Sequence, residues 1–158
     1  MELLAFFQWL EVSLLGQASK AYGGTYAMAQ SLHLFSMALL GGTVLVTDLR
    51  LLNLIFRDQP VQVVADNAHK WFKVGLTLIL LSGVFMVAGV AVKVYYNDFF
   101  WAKMIALASG IVFVFAVKRP LLGDNPDQAN PWILKSVAIA SILVWFTAAA
   151  TGRWIGFS

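Results

Sequence analysis

Four apolar stretches, Ala27 to Thr47, Val74 to Val92, Phe99 to Val117 and Trp132 to Thr151, take up most of this 158-residue chain. A helix rises 1.5 Å per residue, so roughly 20 apolar residues cross a hydrocarbon layer, and each stretch is long enough. Their internal charges, Lys103 and Lys135, lie near the ends, where a long stem carries an ammonium to the interface. The expected fold is all-α: a four-helix transmembrane bundle, one membrane domain over residues 1–158, with spans at about 27–53, 70–94, 99–118 and 132–153.

Composition agrees, since 60% hydrophobic and 12% charged residues would leave a soluble domain of this size covered in apolar surface. The net charge of +3 is scattered over loops and helix ends. No basic, aromatic-interleaved stripe tracks phosphates, so the expected partner is the lipid bilayer and not nucleic acid. The absence of cysteine excludes disulfides, thiolate metal sites, iron–sulfur clusters and thioether-linked haem. Any metal must be held by His, Met or carboxylate.

The first 22 residues are apolar without reading as a signal peptide, because Glu2 is acidic and Glu11 interrupts the run. At 100° per residue Glu2, Ser13, Gln17 and Lys20 share one side, whereas Gln8 and Glu11 do not. The segment 1–22 is expected to be a short interfacial helix with Phe6, Phe7, Trp9 and Leu10 in lipid or against the bundle, ended by Gly23 and Gly24.

Lys and Arg set the expected orientation. Arg50, Arg57, Lys70, Lys73, Lys118, Arg119 and Lys135 fall at one face, against Lys20, Lys93, Lys103 and Arg153 at the other. The richer face is expected to be cytoplasmic and both termini periplasmic, in a multi-pass protein of the bacterial inner membrane. The connections KVYYND, RDQPVQVVADN and KRPLLGDNPDQANP, the last punctuated by Pro120, Gly123, Pro126 and Pro131, leave no room for a soluble catalytic domain. Small residues suggest where helices meet: Gly75, Ser82, Met86 and Gly89 on the second span, Ala106 and Gly110 on the third, and Ser136, Ala140, Thr147 and Thr151 on the fourth. Such lines are packing seams, or else leave room for a flat cofactor.

The first span carries most of the chemistry. His33, Met37, Gly41, Val44 and Asp48 recur at near-helical spacing, so an imidazole, a thioether and a carboxylate share one inward face. Asp48, beside Arg50 and within reach of Lys118 and Arg119, reads as a structural ion pair or topology anchor. His33 lies about six residues, roughly 9 Å, inside the outer boundary. Met86, Met104 and Arg153 fall at or above that depth on the other spans. A His and Met set of this kind ligates haem b or Cu(I); the alternative is that His33 bonds to a Thr, a Ser or a carbonyl while the methionines fill gaps. His33 and Met37 are the candidate metal ligands, and Met86, Met104 and Arg153 the further cofactor contacts. His69, at the opposite entrance and roughly 20 Å or more away, cannot share a haem with His33 and reads as an interfacial residue.

The segments WLEVSLLGQASK, SLHLFSMALLGGTVLVTDLRLL and VWFTAAATGRWIGFS resemble an uncharacterised family of bacterial four-span inner-membrane proteins with an N-terminal interfacial helix. Its pattern of a histidine followed by Asp-Leu-Arg is met by His33, Gly41, Gly42, Asp48, Leu49 and Arg50, and its closing Gly-Arg pair by Gly152 and Arg153. A looser similarity is to the copper-resistance D membrane domain and to b-type cytochrome bundles, although the second histidine of a bis-histidine haem is missing. Two functions stay open: a small redox or metal-handling protein built on His33, with Arg153 facing an anionic group, or an assembly subunit that forms a homo-oligomer or docks on a larger membrane complex. No phosphate loop, HExxH or GxSxG is present, and no independent catalytic activity is expected.

Overall fold

Three of the apolar stretches lie wholly within longer helices, and the second, Val74 to Val92, runs past the end of its helix at Gly89. In lipid a backbone must satisfy its own hydrogen bonds, and nothing obliges a helix to stop where the hydrocarbon does. The computed structural model describes residues 2–21, 23–123 and 129–157 and is helical along nearly all of them. After α1 (Glu2–Val12) and α2 (Leu14–Ala21) come α3 (Gly23–Leu51), α4 (Val61–Gly89), α5 (Ala91–Tyr95), α6 (Asp98–Phe113), a π-helical turn (Val114–Lys118), α7 (Arg119–Gly123) and α8 (Pro131–Trp154), which closes in a 3₁₀ turn. Four continuous helices, Gly23–Leu51, Val61–Gly89, Asp98–Gly123 and Pro131–Phe157, are long and apolar enough to cross a membrane. The chain is a multi-pass membrane protein.

The second span begins at Val61, earlier than the expected 70, so VQVVADN forms helical turns and not loop. Arg119–Gly123 is likewise helical, whereas the rest of that connection through Gln128, Pro126 included, lies outside the described residues. Asn97 and Asn130 fix two helix starts, their side-chain oxygens accepting from Phe99 N (3.0 Å) and Phe100 N (3.2 Å), and from Trp132 N (3.0 Å). Between α3 and α4, Asn53 (φ 60°) and Phe56 (φ 50°) take left-handed backbone. Arg50 staples this turn by donating to Gln59 O (3.0 and 2.7 Å) and Asn53 Oδ1 (3.4 Å).

The N-terminal segment is two helices bent at Ser13, whose Oγ donates to Leu10 O (2.6 Å). At Gly16 any Cβ would strike the Leu10 and Glu11 carbonyls, so glycine permits the bend. Gly23 begins α3 and does not end the interfacial helix, while Met1 and Tyr22 lie outside the described residues. Of the four expected apolar contacts, Phe7 packs among Ala91, Val94 and Phe100 with Leu10 against that cluster, and Phe6 and Trp9 are exposed. Glu11 holds the segment down by pairing with Lys20 (2.6 Å) and accepting from Val92 N (2.8 Å) at the start of α5.

Buried positions on α4 (Val61, Ala65, Ala68, Phe72, Gly75, Ile79, Ser82) and α8 (Leu134, Ala138, Ser141, Trp145, Ala148) alternate in steps of four and three. This is the seam of a left-handed bundle. Close packing joins α3 to α4, α3 to α8 and α6 to α8. Between the second and third spans, consecutive in sequence, α4 and α6 are not a closely packed pair; the spans meet through α7 and through Phe115 against His69 and Phe72, and a groove floored by α3 lies between them.

Candidate functional site

The groove widens into a cavity of about 580 Å³ at the basic end of the bundle. Thr43 and Thr47 of α3 form its floor, Gln62, Asp66, His69 and Phe72 of α4 one wall, and Phe115, Lys118, Arg119 and Gly123 the other. Its volume lies within the range of roughly 300–1,000 Å³ common for small-molecule pockets. The threonine hydroxyls donate to their own helix, Thr43 to Leu40 O (2.7 Å) and Thr47 to Thr43 O (2.9 Å), so their methyl groups and lone pairs complete the lining.

A local irregularity shapes the second wall. On the third span Ala106, Gly110, Val114 and Lys118 are all buried, each four residues after the last. A regular α-helix advances about 100° per residue, so steps of four drift about 40° each and would carry Lys118 away from the interior. The π turn, closed by Arg119 N donating to Val114 O, absorbs that drift. Pro120 gives it a cause, because its ring has no N–H for the Ala116 carbonyl and crowds it.

Lys118 therefore points inward. Its Nζ stands 2.5 Å from Asp48 Oδ1 and 3.5 Å from Ser141 Oγ, with side chains 7% and 0% exposed for the lysine and aspartate. Asp48 Oδ2 has no partner among the described residues. His69 lies against the ring of Phe72 (centroids 6.1 Å, interplanar angle 13°) and edge-on to Phe115 (5.7 Å, 78°). Its Nε2 is buried and unpartnered among the described residues. Gln62 donates to Asp66 Oδ2 (3.2 Å) at the rim.

Toward the opposite end of the bundle, polar contacts join α3, α4 and α6. His33 Nδ1 lies 2.9 Å from Ser82 Oγ, and Lys103 Nζ lies 3.3 Å from His33 Nε2. The directions of these bonds are fixed by what each atom can do. An ammonium only donates, so Nε2 accepts from Lys103, Nδ1 carries the proton and donates to Ser82, and Ser82 O–H continues to Leu78 O (2.7 Å). The groups are held by small residues: a Cβ at Gly83 would meet His33 Cε1 at 3.3 Å, and one at Gly152 would meet Lys103 Nζ at 3.2 Å. Between the two polar ends, Trp145 reaches Phe72 (5.6 Å, 83°) in an apolar core with Leu40, Val44 and Val114.

Residues 6–158 match a family described as a family of unknown function, DUF6644. The chain belongs to DUF6644. No curated protein and no solved structure matches it. The family assignment agrees with the likeness drawn from His33, Asp48-Leu49-Arg50 and Gly152-Arg153.

In this DUF6644 member the residues expected near His33 are distributed differently from a ligand set. Both imidazole nitrogens are engaged by Ser82 and Lys103, and a metal at Nε2 would have to displace an ammonium. Met37 and Met86 are half-buried on α3 and α4, and Met104 packs on the Phe7 and Phe100 cluster. Arg153 is exposed, stacked over the Phe157 ring (4.6 Å). The described residues hold no group of three or more His, Asp or Glu able to bind a metal, and nothing in them supports haem b or copper.

The expected polar cluster divides. Asp48 meets Lys118, as anticipated, whereas Arg50 serves the neighbouring turn and Arg119 is exposed on the cavity wall. His69, read as a bland interfacial residue, is part of that wall. Its signal in the sequence was the spacing His69 to Phe72, one turn of helix that places an imidazole and a ring on one face.

Proposed function

We propose that this protein is a non-catalytic membrane binding protein that holds a small amphiphilic molecule in the groove between its second and third spans. The observation that carries the reading is the cavity of about 580 Å³ beside a buried charged pair, where His69 Nε2 and Asp48 Oδ2 have no partner among the described residues. Intramembrane charges that line a cavity are the usual mark of a ligand path, because their burial costs several kcal/mol without some such role. The distribution of Lys and Arg supports a bacterial inner-membrane location with the cavity at the cytoplasmic side and both termini outside. Native mass spectrometry on protein released from its own membrane is expected to show a retained small molecule. Gly123→Trp, which fills the cavity rim from a position with open space around it, should expel it. Identical spectra for both proteins, with no added mass, would reject the reading.

A homo-oligomeric assembly role is supported by a separate observation. Gly41 and Gly42 of the first span have open space where a Cβ would stand, and Gly42 and Ala38, four residues apart, are exposed. Close approach of a second helix uses such positions. Cross-linking in native membranes should trap a dimer that Gly42→Leu removes; an unchanged monomer in both would end this second reading.

A further inference from the structure

We infer that the guest of this groove is the planar, neutral, carbonyl-bearing ring of a quinone-type lipid, an inference that rests on the ligand site proposed above. Charge narrows the choice first. The two cations lining the cavity, Lys118 and Arg119, are equalled in number by two carboxylates, Asp48 paired with Lys118 behind the wall and Asp66 on the rim. The site therefore carries no net formal charge with which to recruit a phosphate, a carboxylate or a cation. The guest that fits is neutral yet strongly hydrogen-bonding.

Shape narrows it again. One wall and part of the other are rings, with His69 set between Phe72 and Phe115, and aromatic faces and edges favour a flat aromatic or quinonoid partner. Hydrogen bonding gives the polarity. His69 Nε2 is a buried position with no partner among the described residues, and Lys118, which lines the cavity, uses two of its three ammonium N–H groups on Asp48 Oδ1 and Ser141 Oγ. Two donors on facing walls suit two carbonyl oxygens on opposite edges of one ring. Because α4 and α6 are not among the closely packed pairs, and the two walls meet through Phe115 against His69 and Phe72, an isoprenoid or alkyl tail can leave beside that ring contact into the acyl chains, which a polar metabolite has no reason to do.

The test uses the full chain in nanodiscs of phosphatidylcholine, titrated with decylubiquinone. Binding is read by calorimetry and by quenching of Trp145, which touches Phe72. Saturable binding is expected above empty nanodiscs, weakened at least tenfold by His69→Ala and several-fold by Phe115→Leu, and retained in His69→Gln, which keeps a donor and reports on folding. Inorganic phosphate and phosphatidylglycerol should not compete. Absence of saturable binding, or equal affinity in His69→Ala and wild type, overturns the inference. Should phosphatidylglycerol bind in a His69-dependent way instead, the quinone assignment falls and the ligand site stands. If neither probe binds and no molecule is carried from the native membrane, both fall.

Discussion

Lys118 Nζ meets Asp48 Oδ1 at 2.5 Å, joining residues seventy apart in the chain within the apolar bundle. The pair ties the first span to the third, and Ser141 brings in the fourth. A buried ion pair barely repays its own desolvation, but a lone buried charge is far worse. Asp48→Leu and Lys118→Met are therefore each expected to destabilise the bundle by about 3–5 kcal/mol. The double variant Asp48→Leu with Lys118→Met should recover most of that loss. Unfolding in mixed micelles with increasing dodecyl sulfate measures all four corners of the cycle. Additive losses in the double variant would mean that the two side chains do not act on each other.

Glycines on the spans are expected to separate into two groups. A Cβ at Gly75 would stand 3.0 Å from Leu40 N and 3.2 Å from its Cα, which are backbone atoms that cannot step aside. Gly75→Ala should push the first two spans apart and cost about 1–3 kcal/mol. Gly41, with nothing within 4 Å, should tolerate Ala and gain as much as about 1 kcal/mol from helix propensity. The same micelle titration compares them, and equal effects would contradict the close α3–α4 approach.

What the sequence made legible is what one helix records about itself. The four spans followed from length and hydropathy, and the line Gly75, Ser82 and Gly89 did become a buried seam because periodicity survives burial. The fourth span misled. Thr147 is exposed and Thr151 only half-buried, since each hydroxyl donates to a carbonyl four residues back, Leu143 O and Thr147 O at 2.8 Å, and needs no neighbour. The true seam is Leu134, Ala138, Ser141, Trp145 and Ala148. Lys103 and His69 were opaque for another reason: which helix stands opposite them is a property of the bundle and is not encoded in local spacing. The π turn, which aims Lys118, has no periodic signature beyond Pro120 downstream.

The contacts of His33 fix its proton on Nδ1, with Nε2 accepting from Lys103. Solid-state ¹⁵N spectra of labelled protein in lipid are expected to show this neutral tautomer. Lys103→Met should release it to a mixture, and Ser82→Ala should loosen the ring. Added haem or Cu(I) is expected to load wild type and His33→Ala equally, because the lone pair that would ligate is already used. A Soret band or stoichiometric copper lost only in His33→Ala would return this residue to the role of a ligand.

Glu11 is the group outside the spans whose titration reaches the fold. The Lys20 ammonium hydrogen-bonded to it, and then the Val92 N–H, hold its carboxyl below the ordinary glutamate range. A carboxyl with a depressed folded pKa contributes stability that is present above its unfolded value and is lost as pH falls through its folded one. That places the loss at roughly pH 4 and below. Acidification should therefore undock the N-terminal helices from the start of α5, while the spans, held by other contacts, remain. Tryptophan emission from Trp9, with the other indoles replaced, and protease access near Ser13 would follow the release. Glu11→Gln keeps an acceptor for Val92 N but cannot titrate, so its docking should be weaker at neutral pH and flat with pH. An acid transition that persists unchanged in this variant would assign the release to a different group.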